Sequence, residues 1–102
     1  MQFLVLGYDG TDSEAPARRQ AARSAHIEVG DKMAKTGEML CALALTNEKE
    51  QMIGSAVIYN FPSRQELDAC LAQEPYVTGK VWQKIEIKSC KLGPSFAHLL
   101  KK

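Results

Sequence analysis

The stretch EMLCALALTNEKEQMIGSAVIYNF (residues 38–61) decides the fold, because it joins two apolar segments of strand length through a polar one. Residues 38–46 and 54–61 are rich in apolar and β-branched side chains, which favour strands. The polar residues 47–51 between them are typical of the tip of a hairpin. The sequence therefore predicts an antiparallel pair of strands in the middle of the chain.

A strand and a helix are predicted before this hairpin. Residues 2–8 (QFLVLGY) form an apolar run of strand length that ends in turn residues. Residues 14–36 are predicted to form a helix, with Ser13 as its capping residue and Gly37 at its end. Apolar side chains recur along that helix at steps of three and four residues, which predicts a buried stripe. The stripe consists of Ala22, Ala25, Val29 and Met33.

A second helix and a fourth strand are predicted after the hairpin. Residues 63–66 (SRQE) form a capping box, in which the Ser and Glu side chains each satisfy a free backbone N–H at a helix start. Residues 82–90 alternate apolar and charged side chains, which predicts a strand with one buried and one wet face. The order β-α-β-β-α-β is that of the α+β ferredoxin-like fold, in which both helices cover one face of an antiparallel sheet.

The other face of such a sheet needs a cover, because the strand at residues 38–46 is too apolar to remain in water. Face-to-face pairing of two chains would bury that face and close the two sheets into a dimeric α+β barrel. We therefore predict a homodimer. The whole chain (1–102) is predicted to be one domain that ends in a short apolar C-terminal tail (93–102).

Composition and charge argue against several classes of partner. Thirteen basic residues balance twelve acidic ones, so no strong field attracts nucleic acid or a membrane surface. No segment reaches the length of an apolar membrane span. The three cysteines are widely spaced and odd in number, which indicates a reducing compartment. We expect a cytoplasmic protein without nucleic-acid or membrane partners.

Signals for a metal or a phosphate-bearing cofactor are weak. The chain has two histidines, His26 and His98, and no CxxC or HxxxH spacing. Its glycines are scattered and do not form a phosphate-binding loop. We predict neither a metal nor an organic cofactor.

His26 is the leading candidate for chemistry. It lies four residues after Ala22 and three before Val29, along the apolar stripe of the first helix. A buried histidine titrates near neutral pH and suits general acid–base catalysis. The alternative is a core histidine whose ring is hydrogen-bonded to a carbonyl, and spacing alone does not separate the two interpretations.

Two charged residues extend this candidate site. Arg23 precedes His26 by one helical turn, and its guanidinium matches the geometry of a carboxylate substrate; a surface ion pair is the alternative. Pro75 biases Glu74 away from helical geometry, so the turn at the end of the second helix can aim its carboxylate. A carboxylate bonded to a histidine fixes the tautomer of the ring and raises its basicity. The alternative for Glu74 is a solvated side chain at a helix end.

Arg23-Ser24-Ala25-His26 on the first helix and Glu74-Pro75-Tyr76 after the second resemble the motifs of the YciI-like family. The apolar start QFLVLGYD and the dipeptide Gly37-Glu38 match as well, and the resemblance runs from Met1 to about Leu92. It implies a dimeric α+β barrel with a pocket lined by a histidine and an acidic residue. His26 matches the family histidine, and Glu74 matches the acid of an Asp-Pro-Tyr/Phe motif, one methylene longer than Asp.

This resemblance implies a small-molecule enzyme that transfers protons, an isomerase or lyase acting on small organic acids, lactones or muconate-like compounds. In this hypothesis His26 is the general acid/base, Glu74 orients it and Arg23 anchors an anion. Ser24 and Tyr76 are further candidates for substrate binding. Two alternatives stay open: a dimer that binds a metabolite without converting it, and a cofactor-independent monooxygenase of the same barrel fold.

Overall fold

Four antiparallel strands form a single sheet in the computed structural model, which describes residues 1–100. The strands are β1 (Gln2–Asp9), β2 (Met39–Thr46), β3 (Met52–Asn60) and β4 (Trp82–Cys90). The helices are α1 (Ala15–Thr36), α2 (Arg64–Leu71) and α3 (Pro75–Thr78), and Pro94–Leu100 form a 3₁₀ helix. This order confirms the predicted ferredoxin-like α+β arrangement, with α3 as an additional single turn.

The order of strands in the sheet is β2-β3-β1-β4, so β1 and β3 are central and the other two strands lie at the edges. The predicted hairpin is confirmed by the antiparallel pairing of β2 with β3, in which Leu43 is opposite Ala56. Val5 of β1 lies opposite Val57 of β3 and Ile87 of β4. Residues directly opposite one another share a face of the sheet, and this is the face that the helices cover.

The hydrophobic core lies between the sheet and the helices. It consists of Phe3, Val5, Met33, Met39, Val57, Tyr59, Phe61, Leu67, Leu71, Tyr76, Val81 and Trp82. Ala22 and Val29 of α1 pack against it as predicted, but Ala25 is exposed. The prediction was wrong at Ala25 because the stripe follows steps of three, four, three and four residues. These steps run through Arg19, Ala22, His26, Val29 and Met33, and Ala25 lies outside them.

The two ends of α1 are stabilised by different means. Gly37 ends the helix as predicted, with a left-handed φ of 87°, and its N–H donates to the carbonyl of Met33 at 3.0 Å. The predicted cap at Ser13 was wrong. The Asp12 carboxylate instead accepts from the N–H of Glu14 at 3.3 Å, and the Asp12 carbonyl accepts from the N–H of Ala15 at 3.1 Å. Asp12 therefore satisfies the backbone N–H groups of Glu14 and Ala15 at the start of the helix.

The segment after β3 contains two helices where one was predicted. Ser63 caps α2 by accepting from the N–H of Glu66 at 3.2 Å, which confirms that half of the capping box. Within residues 1–100, Glu66 makes no return bond to Ser63. The tripeptide Glu74-Pro75-Tyr76 was predicted to end the second helix. It instead begins α3. Proline suits the first position of a helix because the N–H it lacks would have no partner there.

The second face of the sheet is apolar, and α1, α2 and α3 all lie on the other side. Along each strand, the side chains on this uncovered face alternate with those of the core. Leu43, on this face, is 54% exposed. The apolar members of this open face are Leu4, Leu6, Leu43, Leu45 and Ile58. Lys84, Glu86 and Lys88 of β4 border it, opposite Tyr8, Leu6 and Leu4. The alternation predicted for residues 82–90 is therefore present.

Three further sequence predictions concern the chain as a whole. No helix within residues 1–100 combines the length and the hydropathy needed to cross a bilayer. Cys41, Cys70 and Cys90 are free thiols. The 3₁₀ helix falls within the predicted tail (93–102), of which residues 101 and 102 lie outside the described part of the chain. The division of residues 1–102 into one domain and a tail stays a prediction.

Candidate functional site

His26 and Glu74 are hydrogen-bonded to each other although 48 residues separate them in the sequence. The bond joins Nδ1 of the imidazole to Oε1 of the carboxylate. The Glu74 side chain is fully buried, and that of His26 is 15% exposed. The partner of the ring is therefore a buried carboxylate, and not the backbone carbonyl of the core-histidine alternative.

The start of α3 holds the Glu74 carboxylate in place. Glu74 is the N-cap of α3, with an extended backbone (φ −65°, ψ 126°), and its Oε1 also accepts from the N–H of Tyr76 at 3.2 Å. One carboxylate oxygen is thus fixed by both the helix cap and the imidazole. The second, Oε2, is buried without a hydrogen-bond partner among residues 1–100.

Two aromatic rings fix the plane of the His26 imidazole. The Tyr76 ring stacks on it with a centroid separation of 3.8 Å and an interplanar angle of 7°. The Trp82 indole meets it edge-on, at 6.2 Å and 78°. The edge-to-face contact with Trp82 is a preferred geometry of aromatic pairs, and Tyr76 lies nearly parallel to the imidazole. With Nδ1 bonded to Glu74, the ring has little freedom to rotate.

Arg19 is a central residue of this region that sequence reasoning missed. Its side chain is buried, and Nη1 donates to both carboxylate oxygens of Asp9, at 2.9 and 3.0 Å. Nη2 donates to the carbonyl of Gly54 at 3.2 Å and to Oγ of Ser55 at 3.1 Å. The Arg19 guanidinium also lies 4.8 Å from the centroid of the Tyr76 ring. One signal could have found it: Arg19 lies two helical turns before His26, on the same stripe.

A cavity of about 280 Å³ opens beside His26, between α1 and the strands β2 and β3. Its lining is mixed, with cationic, aromatic and aliphatic side chains. The lining residues are Arg19, Arg23, His26, Ile27, Ala42, Leu43, Ala44, Met52, Ser55, Val57 and Tyr76. A mainly apolar hollow with a few convergent polar groups is the usual form of a small-molecule site, and this volume suits a small ligand.

A larger hollow, of about 510 Å³, lies at the turn after β1, and two of its charged side chains, Arg18 and Asp12, bind each other. Arg18 donates to both oxygens of Asp12, at 2.8 and 2.6 Å. This hydrogen bond holds the pKa of Asp12 at about 2, below its ordinary value. An exposed ion pair of this kind organises a turn, so we place the candidate site at the smaller cavity beside His26.

The structure brings four of the five predicted site residues together. Arg23, His26 and Tyr76 line the cavity, and Glu74 lies behind His26. Arg23 forms no ion pair within residues 1–100, so the surface-pair alternative is not observed there. Ser24 is exposed on α1 and does not line the cavity. The roles assigned to these residues stay predictions.

Burial keeps the tyrosines and the cysteine near the site in their neutral forms. Burial raises the pKa of Tyr76, and the guanidinium groups of Arg19 and Arg23 act in the opposite direction. Burial, with the Glu74 carboxylate, raises the pKa of Tyr59 far above its ordinary value and that of Cys70 to about 11. Within residues 1–100, no three His, Cys, Asp or Glu side chains converge as metal ligands would.

The sheet order and the single layer of helices define a ferredoxin-like fold of the kind found in dimeric α+β barrels. The YCII-related domain matches residues 1–91, and the chain belongs to this family. The family resemblance inferred from the sequence is thereby confirmed.

Two solved structures resemble the chain, and the first of them shares its fold. One is 5-chloro-2-hydroxyhydroquinone dehydrochlorinase from Burkholderia phenoliruptrix AC1100, in complex with 2,5-dihydroxybenzoquinone. It is 16% identical, with a TM-score of 0.78 over 93% of this chain and 98% of that one. The other is protein Atu4242 from Agrobacterium tumefaciens, 19% identical, with a TM-score of 0.48 over 92% of this chain and 95% of that one. A comparison with curated protein sequences finds no match.

Proposed function

We propose that this protein is a small-molecule enzyme that transfers protons through His26, with Glu74 as the residue that orients it. The observation that carries the proposal is the bond between a fully buried carboxylate and a histidine that lines a cavity. A carboxylate in that position fixes the imidazole tautomer and stabilises the imidazolium that forms when the ring takes a proton.

The bonding pattern assigns the roles of the two ring nitrogens. A carboxylate is an acceptor, so Nδ1 carries the proton and donates it to Oε1 of Glu74. Nε2 is then the unprotonated nitrogen, and it has no hydrogen-bond partner within residues 1–100. Nε2 is the atom that accepts a proton from the substrate and returns it in a later step.

Arg23 supplies the positive charge for substrate binding. Of the two arginines that line the cavity, Arg19 is compensated by Asp9, whereas Arg23 has no ion-pair partner within residues 1–100. An anionic group on the substrate would therefore bind at Arg23. Tyr76 acts chiefly through its stack on His26, which sets the direction of Nε2.

The substrate class is a small organic acid, lactone or ring-derived enol with an acidic C–H or O–H bond. Nε2 removes that proton, and the electron pair left behind forms a double bond. In a lyase reaction a leaving group departs with its bonding electrons; in an isomerase reaction the imidazolium returns the proton to another carbon. The dehydrochlorinase with the same fold binds 2,5-dihydroxybenzoquinone, and we propose hydroxyquinones of this kind as the first compounds to test.

We further propose that two copies of the chain pair through their open sheet faces. The centre of this face is apolar, and its border carries both signs of charge, with Glu86 between Lys84 and Lys88 at 3.8 and 3.9 Å. Such a surface is self-complementary, because two copies related by a twofold axis bring apolar centre to apolar centre. A cytoplasmic location would agree with the free thiols.

The experiment measures binding and turnover with the parent protein and two variants, His26→Asn and His98→Asn. The panel contains 2,5-dihydroxybenzoquinone, 5-chloro-2-hydroxyhydroquinone, unsaturated lactones and small dicarboxylates. We expect at least one compound to raise the melting temperature of the parent and to be converted by it. His26→Asn should bind without converting, and His98→Asn, in the exposed 3₁₀ helix, should match the parent.

The possible results separate the alternatives. Turnover by His26→Asn at the parent rate would contradict the assignment of His26. Binding without conversion by the parent would indicate a metabolite-binding protein, and oxygen uptake during conversion would indicate a monooxygenase. Glu74→Asp tests the positioning of the ring, because a carboxylate retracted by one methylene misplaces Nε2, and an error of about 1 Å costs about a hundredfold in rate.

A further inference from the structure

Ser55 lies on β3 in the wall of the cavity that contains His26. It is 3% exposed, and its register partner on β1 is Gly7, so its side chain shares the face of the sheet that the helices cover. The sequence offered no reason to single out this serine. Its hydrogen bonds provide one.

The oxygen of Ser55 accepts two hydrogen bonds, and both donors lack any acceptor capacity. Nη2 of Arg19 donates to Oγ at 3.1 Å, and Nε1 of Trp82 donates to it at 3.2 Å. A serine hydroxyl has two lone pairs and one proton, whereas a guanidinium and an indole N–H only donate. Both lone pairs of Ser55 are therefore occupied, and its proton must be donated to a third group.

No group within residues 1–100 accepts that proton, since both hydrogen bonds at Ser55 Oγ are received from donors. Buried polar hydrogens in folded proteins are almost always matched by an acceptor. Ser55 lines the cavity, so an acceptor from outside the chain can reach it there.

The two donors are themselves held in place. Arg19 is fixed by its bonds to Asp9 and to the carbonyl of Gly54. The Trp82 indole lies directly against Gly7, where an added Cβ would come within 2.3 Å of the ring. Because both donors are fixed, the direction left to the Ser55 proton is fixed as well, before any ligand binds.

We propose that Ser55 donates its hydroxyl proton to a carbonyl or enolate oxygen of the ligand in this cavity. The hydroxyl accepts from a guanidinium cation, which polarises its O–H bond and makes it a stronger donor. An enolate oxygen gains most from such a donor, since negative charge develops there when a proton is removed from the adjacent carbon. The role in turnover rests on the proposed function of His26, but binding of an anionic oxygen at Ser55 does not.

This arrangement also sets a specificity. A ligand that presents an N–H or ammonium group to Ser55 finds no free lone pair, so that donor remains unpaired. A site with a buried hydrogen-bonding group strongly rejects ligands that cannot pair with that group. An apolar pocket discriminates less strongly between ligands of similar size. The inferred substrates are therefore planar, enolisable carbonyl compounds, with the oxygen at Ser55 and the transferred proton at Nε2 of His26.

The test measures the affinity of the protein for cyclohexane-1,3-dione, which is largely an enolate at neutral pH, by titration calorimetry. Ser55→Ala removes the donor, and Ser89→Ala removes an exposed serine from β4 as the matched control. We expect the Kd of Ser55→Ala to rise about tenfold or more, the size of effect for a hydrogen bond to a charged acceptor. The Kd of Ser89→Ala should equal that of the parent.

Two further variants separate ligand binding from a structural role of Ser55. Ser55→Thr keeps a hydroxyl at the same position, so the Kd should stay within about threefold of the parent. If Ser55→Ala does not fold, Ser55→Cys takes its place, because a thiol has a similar shape but is a weak donor. Ser55→Cys should show the same loss of affinity.

Equal affinity of the parent and Ser55→Ala, or no binding of the enolate by the parent, would overturn the proposal. An equal loss in Ser55→Thr and Ser55→Ala would also overturn it, because the hydroxyl would then not be the group that binds the ligand. These readouts do not depend on turnover. If the parent converts a substrate through His26 while Ser55→Ala binds the enolate normally, the proposed function of His26 stands and the proposed role of Ser55 is wrong.

Discussion

The candidate site is built from buried polar groups that bind one another in a fixed pattern. Glu74 holds Nδ1 of His26, and Asp9 holds Arg19, which in turn donates to Ser55. A buried carboxylate is costly unless it is paired, so each of these contacts stabilises the ionised partner. Arg19, His26 and Ser55 of this network line the cavity, where a ligand can reach them.

The sequence was informative about those residues whose type and spacing carry chemistry. His26 was predicted from a helical stripe and Glu74 from the proline after it, Tyr76 was added with the family resemblance, and the three residues are in contact. Arg19 was missed because an arginine on a helix is usually solvated. Its burial depends on Asp9 and Ser55, which lie on two different strands, and pairing between strands is not encoded by local pattern.

Cys70 provides a prediction about pH at the residue scale. Burial, with the carboxylates of Glu74 and Glu38, raises its pKa from 9.0 to about 11. At mildly alkaline pH its thiolate fraction, and so its rate of alkylation, should be about a hundredfold lower in the folded than in the urea-unfolded chain. The measurement is iodoacetamide labelling of the Cys41→Ala/Cys90→Ala variant. Equal rates in the two states would contradict it.

The same shift predicts a change in stability with a definite sign. The folded chain binds the Cys70 proton more tightly than the unfolded chain, so ionisation of the unfolded chain begins first as pH rises. The contribution of Cys70 to the free energy of unfolding is therefore constant below about pH 9 and decreases between about pH 9 and pH 11. Replacing Cys70 with alanine should reduce the fall of the urea-denaturation midpoint over that interval, and the fall that remains at its upper end comes from Tyr59, whose pKa is also raised.

At the scale of elements, the fold was predictable where one physical signal dominated. Alternation identified the strands, and Gly37 identified the end of α1. The break between α2 and α3 was missed because Ala72 and Gln73 carry no helix-stopping signal of their own. The signal lies further on, where Pro75 with Glu74 begins a new helix. That break is what turns the Glu74 side chain towards His26.

Two glycines give opposite predictions at this scale. A Cβ on Gly7 would lie 2.3 Å from the Trp82 ring, whereas a Cβ on Gly30, inside α1, would meet only Met39 Sδ at 3.7 Å. Gly7→Ala should therefore lower the free energy of unfolding by about 1–3 kcal/mol through overpacking. Gly30→Ala, the control, should raise it by about 0.5–1 kcal/mol through helix propensity. Urea denaturation measures both, and a neutral Gly7→Ala would show that Trp82 can move.

At the scale of the whole molecule, the distribution of apolar side chains implies a second surface to be buried. The helices cover one face of the sheet, and Leu4, Leu6, Leu43, Leu45 and Ile58 remain on the other. A contiguous apolar patch of this kind marks an interaction site in soluble proteins. The apolar character of β2 was visible in the sequence, but which side chains share the open face followed only from the register.

Leu43→Lys tests the proposed pairing. Leu43 is the most exposed of the apolar side chains on the open face, and a charge there would be buried at the interface, so we expect the variant to be a monomer of 11.3 kDa. Ile85→Lys is the control, since Ile85 is also a partly exposed apolar residue but lies on the other face of the sheet. Light scattering after gel filtration gives both masses. A monomeric parent, or a dimeric Leu43→Lys, would contradict the pairing.

Proton transfer by His26 is measurable as deuterium exchange into a substrate. The parent in heavy water is incubated with small enolisable ketones and unsaturated lactones, and incorporation at the carbon beside the carbonyl is followed by NMR. The account predicts that the parent accelerates incorporation into at least one compound, that His26→Asn abolishes this, and that His98→Asn retains it. Incorporation at the same rate with the parent and with His26→Asn would contradict the claim.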